Sequence, residues 1–314
     1  MSIIRSLAAA TLITLGSAVP ADAQDELTVL LEWFVNPDHA PMVVAQELGL
    51  FEAADLDVKL VPPSDPSSVP RLVAAGQVDV GIHYQPNLYL DVHAGLPIVR
   101  IGTLVETPLN SLIVLAGGEI DDLSDLAGSK IGYSVSGFED ALVGTMLSSV
   151  GLTKDDVELV NVNFSLSPAL ISGQVDATIG GFRNFELTQM RLEGHPGTAF
   201  YPEEHGVPAY DELIFITRKA SVGDPRLPRF LDAVEQASIY ITNHPDEAWA
   251  LFIRAYPDLD DELNRVAFID TLPRLAKRPG ALDRKRYERF AAFMVEHDLI
   301  DTALPVGDYA VALP

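Results

Sequence analysis

Four short stretches of this sequence mix an aromatic ring with amides, hydroxyls or a carboxylate, and each follows a run that reads as a strand. They are Glu32-Trp33-Phe34-Val35-Asn36, His83-Tyr84-Gln85-Pro86-Asn87, Ser134-Val135-Ser136-Gly137-Phe138 and Phe182-Arg183-Asn184-Phe185-Glu186. The mixture suits noncovalent capture of a flat heteroaromatic ring. Stacking on aromatic faces adds about 0.5–1.5 kcal/mol beyond area burial, and a few fixed donors and acceptors read the ring's edge. Trp33 is the leading stacking residue, while Tyr84 and Phe138 are open between stacking and core packing. Glu186 is suited to accept from an exocyclic amine or a ring N–H, a pairing that is costly to leave half-made in a cleft. Its competing reading is a solvated residue on the first turn of a helix. Asn87 and Asn184 both donate and accept, and Asn36 is open between ligand contact and holding its own turn. Glu32 and His83 complete the polar candidates. Ser136-Gly137-Phe138 opens a helix whose free N–H groups could receive an acceptor, but it lacks the several glycines of a nucleotide loop.

Catalysis finds no support in the same residues. His39, His83 and His93 are scattered without metal-ligand spacing, and no G-x-S-x-G, H-E-x-x-H or P-loop pattern is present. The chain has no cysteine, which excludes disulfides, thiolate metal sites and a cysteine nucleophile. The expectation is a binding protein with no metal and no cofactor.

The elements that must carry these loops alternate strand and helix. Leu27 to Leu31, Leu56 to Val61 and Val78 to Ile82 read as buried strands. Helices from about Pro41 to Leu48 and Val69 to Ala75 lie between them, each stopped by a glycine, Gly49 or Gly76. That alternation implies a mostly parallel sheet, whose ligands sit beyond the carboxyl ends of the strands. The pattern then repeats: Gly76-Gln77-Val78-Asp79 is echoed by Gly173-Gln174-Val175-Asp176, and Gly49-Leu50 by Gly151-Leu152. Two copies of one α/β unit, and hence two lobes with a cleft between them, follow from the echo. The expected division is 24–111 for the first part of lobe 1, 112–208 for lobe 2, and 209–314 for the return to lobe 1. The last third carries helical stripes such as Leu227, Phe230, Leu231 and Val234, which read as packing.

Composition bounds the rest. A formal net charge of -24 repels phosphate backbones and anionic headgroups, against a nucleic-acid or membrane-surface role. Arg5, the apolar run Leu7 to Val19 and the small-residue site Ala21-Asp22-Ala23 read as a signal peptide over 1–23, cleaved near Ala23. A soluble periplasmic monomer is expected.

Several stretches together resemble the Thi5/NMT1-like family of type II periplasmic-binding folds. They are Glu32-Trp33 with Asn36-Pro37-Asp38-His39-Ala40-Pro41, Gly76-Gln77-Val78-Asp79-Val80-Gly81, Asp125-Leu126-Ala127-Gly128-Ser129-Lys130, and Gly180-Gly181-Phe182-Arg183-Asn184-Phe185-Glu186. The last of these, with Glu204 to Leu213, is similar to the family's ThiY-type transport branch. The resemblance implies a solute-binding protein that hands formylaminopyrimidine or hydroxymethylpyrimidine to an ABC permease and its ATPase. Trp33 would stack on the pyrimidine, the loop from Ser136 to Phe138 would close over it, and Glu186 would hold its amino edge.

The family also contains an enzyme, a pyrimidine synthase that consumes pyridoxal phosphate and its own histidine. Counted from Val78-Asp79, its cofactor-holding lysine falls on His83 and its histidine on Asn87, and its cysteine-rich run has no counterpart. An imidazole cannot form a Schiff base. Related receptors carry riboflavin, alkanesulfonates or nitrate, and an anion would require a cation in the cleft. Arg183 is the one candidate, and it stands where the transport branch often has an aromatic.

Overall fold

The computed structural model describes residues 24–314, excluding the side chains of 138–141. The segment 1–23, expected above to be a signal peptide, and the Phe138 ring therefore lie outside the described residues. The strands are β1 (Asp25–Leu30), β2 (Leu56–Val61), β3 (Val80–His83), β4 (Ile98–Val105), β5 (Asn110–Leu115), β6 (Lys130–Tyr133), β7 (Glu158–Asn161), β8 (Ala177–Phe182), β9 (Gly197–Phe200) and β10 (Leu213–Arg218). The helices that bear on the site are α1 (Ala40–Glu47), α2 (Leu50–Ala53), α3 (Val69–Ala74), α4 (Gln85–His93), α5 (Phe138–Ser148), α6 (Leu166–Ile171) and α7 (Glu186–Leu192). The C-terminal third adds α8 (Arg226–Asn243), α9 (Pro245–Ala255), α10 (Glu262–Thr271) and α11 (Arg284–Glu296).

Among the described residues the strands form two five-stranded sheets, ordered β2-β1-β3-β10-β4 and β7-β6-β8-β5-β9. Each has three parallel strands, then one antiparallel strand, β10 or β5, contributed by the chain as it crosses from the other lobe, and an edge strand, β4 or β9, antiparallel to that one. The echo seen in the sequence has a common structural duty. Gly76 and Gly173 turn the chain at φ 69° and 72°, a region open to glycine without a Cβ penalty. Asp79 and Asp176 then each accept, at 2.8 Å, from a backbone amide of the neighbouring strand, Thr28 in β1 and Lys130 in β6. The two sheets share one strand order.

Helices cover both faces of the first sheet. On one face Val43 and Val44 of α1 and Phe230 and Val234 of α8 bury against Val29 and Phe215, and Phe51 of α2 stacks on Phe230 at 5.6 Å. On the other face Tyr89 of α4 and Tyr287 and Phe290 of α11 bury against Ile214 and Ile98. The helical final third thus buttresses lobe 1, and each fully buried aliphatic or aromatic side chain contributes about 1.5–3 kcal/mol. Trp249 of α9 belongs to this packing.

Candidate functional site

The carboxyl ends of β1, β3, β6 and β8 face one another across the two lobes. A narrow slot lies between them, with an empty space of about 570 Å³, open solvent at its mouth included. Lobe 1 supplies Glu32, Trp33, Asn36, Asp38 and Tyr84; lobe 2 supplies Asn110, Ser134, Val135, Leu166, Gly180, Phe182, Phe185 and Glu186. Trp33 and Glu186, the two residues on which the sequence reading leans most, share this space.

Trp33 follows β1 and is half-buried. Its ring meets Phe164 of lobe 2 edge-on at 4.6 Å, and Phe164 in turn contacts Phe34 at 4.5 Å, so aromatic rings close the mouth from both sides. Tyr84 follows β3 and is 5% exposed. Asn36 spends its side chain on its own turn, accepting from the Asp38 amide at 2.8 Å and donating to the Phe34 carbonyl at 3.1 Å. That turn is a 3₁₀ helix, Pro37–His39, whose capping points the Asp38 carboxylate at the slot.

Three carboxylates border the slot, and their surroundings differ. Glu32 is paired with His39, whose Nε2 lies 3.0 Å from each carboxylate oxygen, and both are buried. Burial works against a charged imidazole, but the Glu32 carboxylate outweighs it and raises the His39 pKa. Burial pushes Asp38 up to about 6, and Thr271, His39 and Asn184 hold it back. Glu186 opens α7 and accepts from the Phe182 amide at 2.6 Å. Burial raises its pKa to about 7 against that bond and its own amide, with Asp38 adding to the rise. No lysine or arginine stands among the residues lining the slot.

Several of the residues read from sequence lie elsewhere. His83, Asn87 and Ser136 line an adjoining chamber rather than the slot, which shares only Val135 with it. His83 there pairs with Asp91 at 2.9 Å. Gly137, at φ 96°, precedes α5 and lines neither space. Asn184 sits behind the slot, where its amide donates to Asp38 Oδ1 and Thr271 Oγ1, both at 2.8 Å, and so ties lobe 2 to lobe 1. Arg183, the one cation the sequence offers for an anionic cargo, is not among the residues lining the slot. It is held by Glu203 at 2.5 and 3.0 Å, by the Leu109 and Asn110 carbonyls, and by the Tyr201 ring at 3.9 Å.

Asn110, Asp38 and Leu166 also line the slot, and none of them stands out from the local sequence pattern. Asn110 is fully buried, its Oδ1 accepts from the Gly180 amide at 3.0 Å, and its Nδ2 has no partner among the described residues. A donor left unpaired beside a cavity awaits an acceptor. The amides of Leu109 and Asn110 are themselves clasped by Glu212, at 2.6 and 2.9 Å.

The arrangement offers stacking surfaces, a donor and several carboxylate acceptors, which is the pattern for an amine-bearing flat ring. Pyridoxal phosphate does not fit it, because no lysine lines the slot or the chamber among the described residues and the sequence position in question is His83.

Residues 36–248 match the family model described as NMT1/THI5 like. The chain belongs to the NMT1/THI5-like family. A Haemophilus influenzae protein named for thiamine biosynthesis is 52% identical, with 94% of each chain covered. The formylaminopyrimidine-binding protein of Halalkalibacterium halodurans is 29% identical over 91% of this chain and 90% of its own. A 4-amino-5-hydroxymethyl-2-methylpyrimidine phosphate synthase of Legionella pneumophila is also 29% identical, over 87% of this chain and 89% of its own. Among solved structures, the alkanesulfonate-binding protein SsuA of Xanthomonas axonopodis pv. citri superposes with a TM-score of 0.72 at 15% identity, covering 93% of this chain and 99% of that one. The periplasmic-binding-protein fold of two α/β lobes is thereby shared.

Proposed function

We propose that this chain is the solute-binding component of an ABC importer that captures a thiamin pyrimidine precursor, formylaminopyrimidine or hydroxymethylpyrimidine. One observation carries the reading: the slot between the lobes combines Trp33, Tyr84, Phe182 and Phe185 with three carboxylates and an unpartnered asparagine donor, and no lysine or arginine lines it among the described residues. An aminopyrimidine offers stacking faces, amine N–H groups for Glu186 and Asp38, and ring-nitrogen acceptors for Asn110. Sulfonate or nitrate cargo is disfavoured, because no arginine or lysine is among the described residues lining the slot, Arg183 is committed to Glu203, and the slot's carboxylates would repel an anion. The synthase reading is disfavoured for want of a lysine amine. Export to the periplasm, action as a monomer and delivery to a membrane permease with its ATPase complete the proposal.

Calorimetric titration of the mature chain tests it, with hydroxymethylpyrimidine, formylaminopyrimidine, riboflavin and taurine as ligands. At good efficiency a ligand of about a dozen heavy atoms reaches sub-micromolar affinity, and that is expected for at least one pyrimidine. Recovery of the unaltered pyrimidine after denaturing the complex is expected of a carrier. Binding of taurine or riboflavin with no heat from either pyrimidine would sink the reading.

A further inference from the structure

The polar groups of Asn110 are occupied on every side but one. Its Oδ1 accepts from the Gly180 amide at 3.0 Å, its carbonyl accepts from Arg183 Nη2 at 2.9 Å, and its amide donates to Glu212 Oε2 at 2.9 Å. The Gly180 amide is available because the ladder between β5 and β8 slips there. Ser111 lies opposite Gly181 and Leu112 opposite Ile179, so Gly180 is the extra residue of a bulge, at a φ of 96° that suits glycine. Nδ2 alone is left for the slot. Glu212 reaches Asn110 from a distant part of the chain. It is fully buried, stands immediately before β10 on the return to lobe 1, and does not line the slot. The same Oε2 accepts from the Leu109 amide at 2.6 Å, so one carboxylate oxygen fixes two consecutive amides and joins the two crossings. Arg286 of α11 joins the crossings a second time, donating to the Glu106 carbonyl at 2.7 Å and to Asp211, and touches neither Leu109 nor Asn110.

We infer that Glu212 is a positioning residue for ligand capture: from outside the slot it fixes the Leu109–Asn110 backbone and so aims Asn110 Nδ2 at a ring nitrogen of the ligand. A carboxylate holds backbone amides by charge-assisted bonds, which are stronger than neutral ones. Holding the donor in place before the ligand arrives removes an ordering cost from binding. It also makes the donor selective, because a ring without the acceptor leaves a rigid buried N–H unpaired. A mere strut between the crossings would act on all ligands alike, and Arg286 is the comparison for that role. The inference rests on the aminopyrimidine reading of the slot and deepens it by naming what makes Asn110 discriminate.

Calorimetry on the mature chain tests this with hydroxymethylpyrimidine and its two pyridine analogues, each with one ring nitrogen replaced by C–H. On the wild type one pyridine is expected to bind about tenfold weaker than the pyrimidine, since Asn110 Nδ2 then faces a C–H. That ratio should fall to about threefold or less in Asn110→Ala and in Glu212→Ala, with no further fall in the double variant. Glu212→Gln, which keeps an oxygen for both amides, should preserve the ratio, and so should Arg286→Ala. Glu212→Asp, one methylene short of the two amides, is measured beside Glu212→Ala, so that an alanine variant that folds poorly does not decide the matter. A ratio intact in the shortened variants overturns the inference. So does a ratio lost as fully in Glu212→Gln or Arg286→Ala as in Glu212→Ala. A wild type that binds the pyrimidine and both pyridines equally overturns it too, while the reading of the slot stands. No binding of the pyrimidine by the wild type removes both.

Discussion

At the scale of single residues, the slot's chemistry turns on Trp33 and Glu186. Trp33→Ala removes a stacking face on a half-buried loop, and Glu186→Ala removes an acceptor held by the Phe182 amide at the end of β8. Each should weaken binding at least tenfold while lowering the apo melting temperature by no more than a few degrees. Calorimetry with matched thermal unfolding checks this, and unchanged affinity in both variants would remove the site. Glu186 also sets a pH dependence. The folded state keeps its proton up to about 7 from an ordinary value of 4.5, because burial opposes the charge. Folding therefore takes up a proton between those values, and apo stability falls as pH rises through them. Glu186→Gln should melt above wild type at pH 8 and close to it at pH 4.5. An amine edge prefers ionised carboxylates, so wild-type affinity should rise from pH 5.5 to 8, and Glu186→Gln should lose the part of the rise near 7 while keeping the part that Asp38 gives near 6. These two residues were legible in the sequence because each follows a recognisable strand end. Asn110 was not: it starts β5, which runs antiparallel to β8, and strand direction leaves no mark on local pattern.

At the scale of elements, the contacts between lobes are unequal. Arg191 of α7 and Glu262 of α10 form an exposed pair at 3.8 Å, a kind worth about 0–1 kcal/mol. A few residues away, the buried Asn184 bonds Asp38 and Thr271, and truncating a partner of a buried charged acceptor costs about 1–3 kcal/mol. Asn184→Ala should therefore lower the melting temperature by several degrees, whereas Arg191→Ala should change it by less than one. Equal effects would show that Asn184 is not the tie it is taken for. From sequence Asn184 looked like a ligand contact, because its partners lie 146 and 87 positions away. The same limit hid β4. Its Arg100 and Thr103 look too polar for a buried strand, yet Arg100 is 1% exposed. Its guanidinium donates to Thr103 and to the carbonyls of Pro279, Ala281 and Val311 from the C-terminal segment. Parallel strands such as β1 and β3 announced themselves by mostly apolar runs, while strands satisfied by remote partners did not.

At the scale of the whole molecule, the shared strand order of the two sheets explains why a cleft exists at all. Each sheet ends its parallel strands on the same side, and the crossings through β5 and β10 set the two sides face to face. A ligand gripped by Trp33 from one lobe and Glu186 from the other must couple occupancy to the angle between lobes. With Trp33 and Phe164 in contact across the mouth, the described arrangement is a closed one. Release to a permease requires an open one within a few kcal/mol of it. The absence of cysteine makes this directly measurable, since two introduced thiols are the only ones to label. Spin labels at Ser64→Cys in lobe 1 and Ser165→Cys in lobe 2, both exposed, bracket the cleft. Without ligand, a broad distance distribution reaching beyond the closed separation is expected. Saturating pyrimidine should collapse it to the shorter component, and Trp33→Ala should demand more ligand for the same collapse. A single distribution, unmoved by ligand that calorimetry shows to be bound, would mean the slot fills without motion. Entry would then have to pass the aromatic contact between Trp33 and Phe164 by side-chain rotation alone.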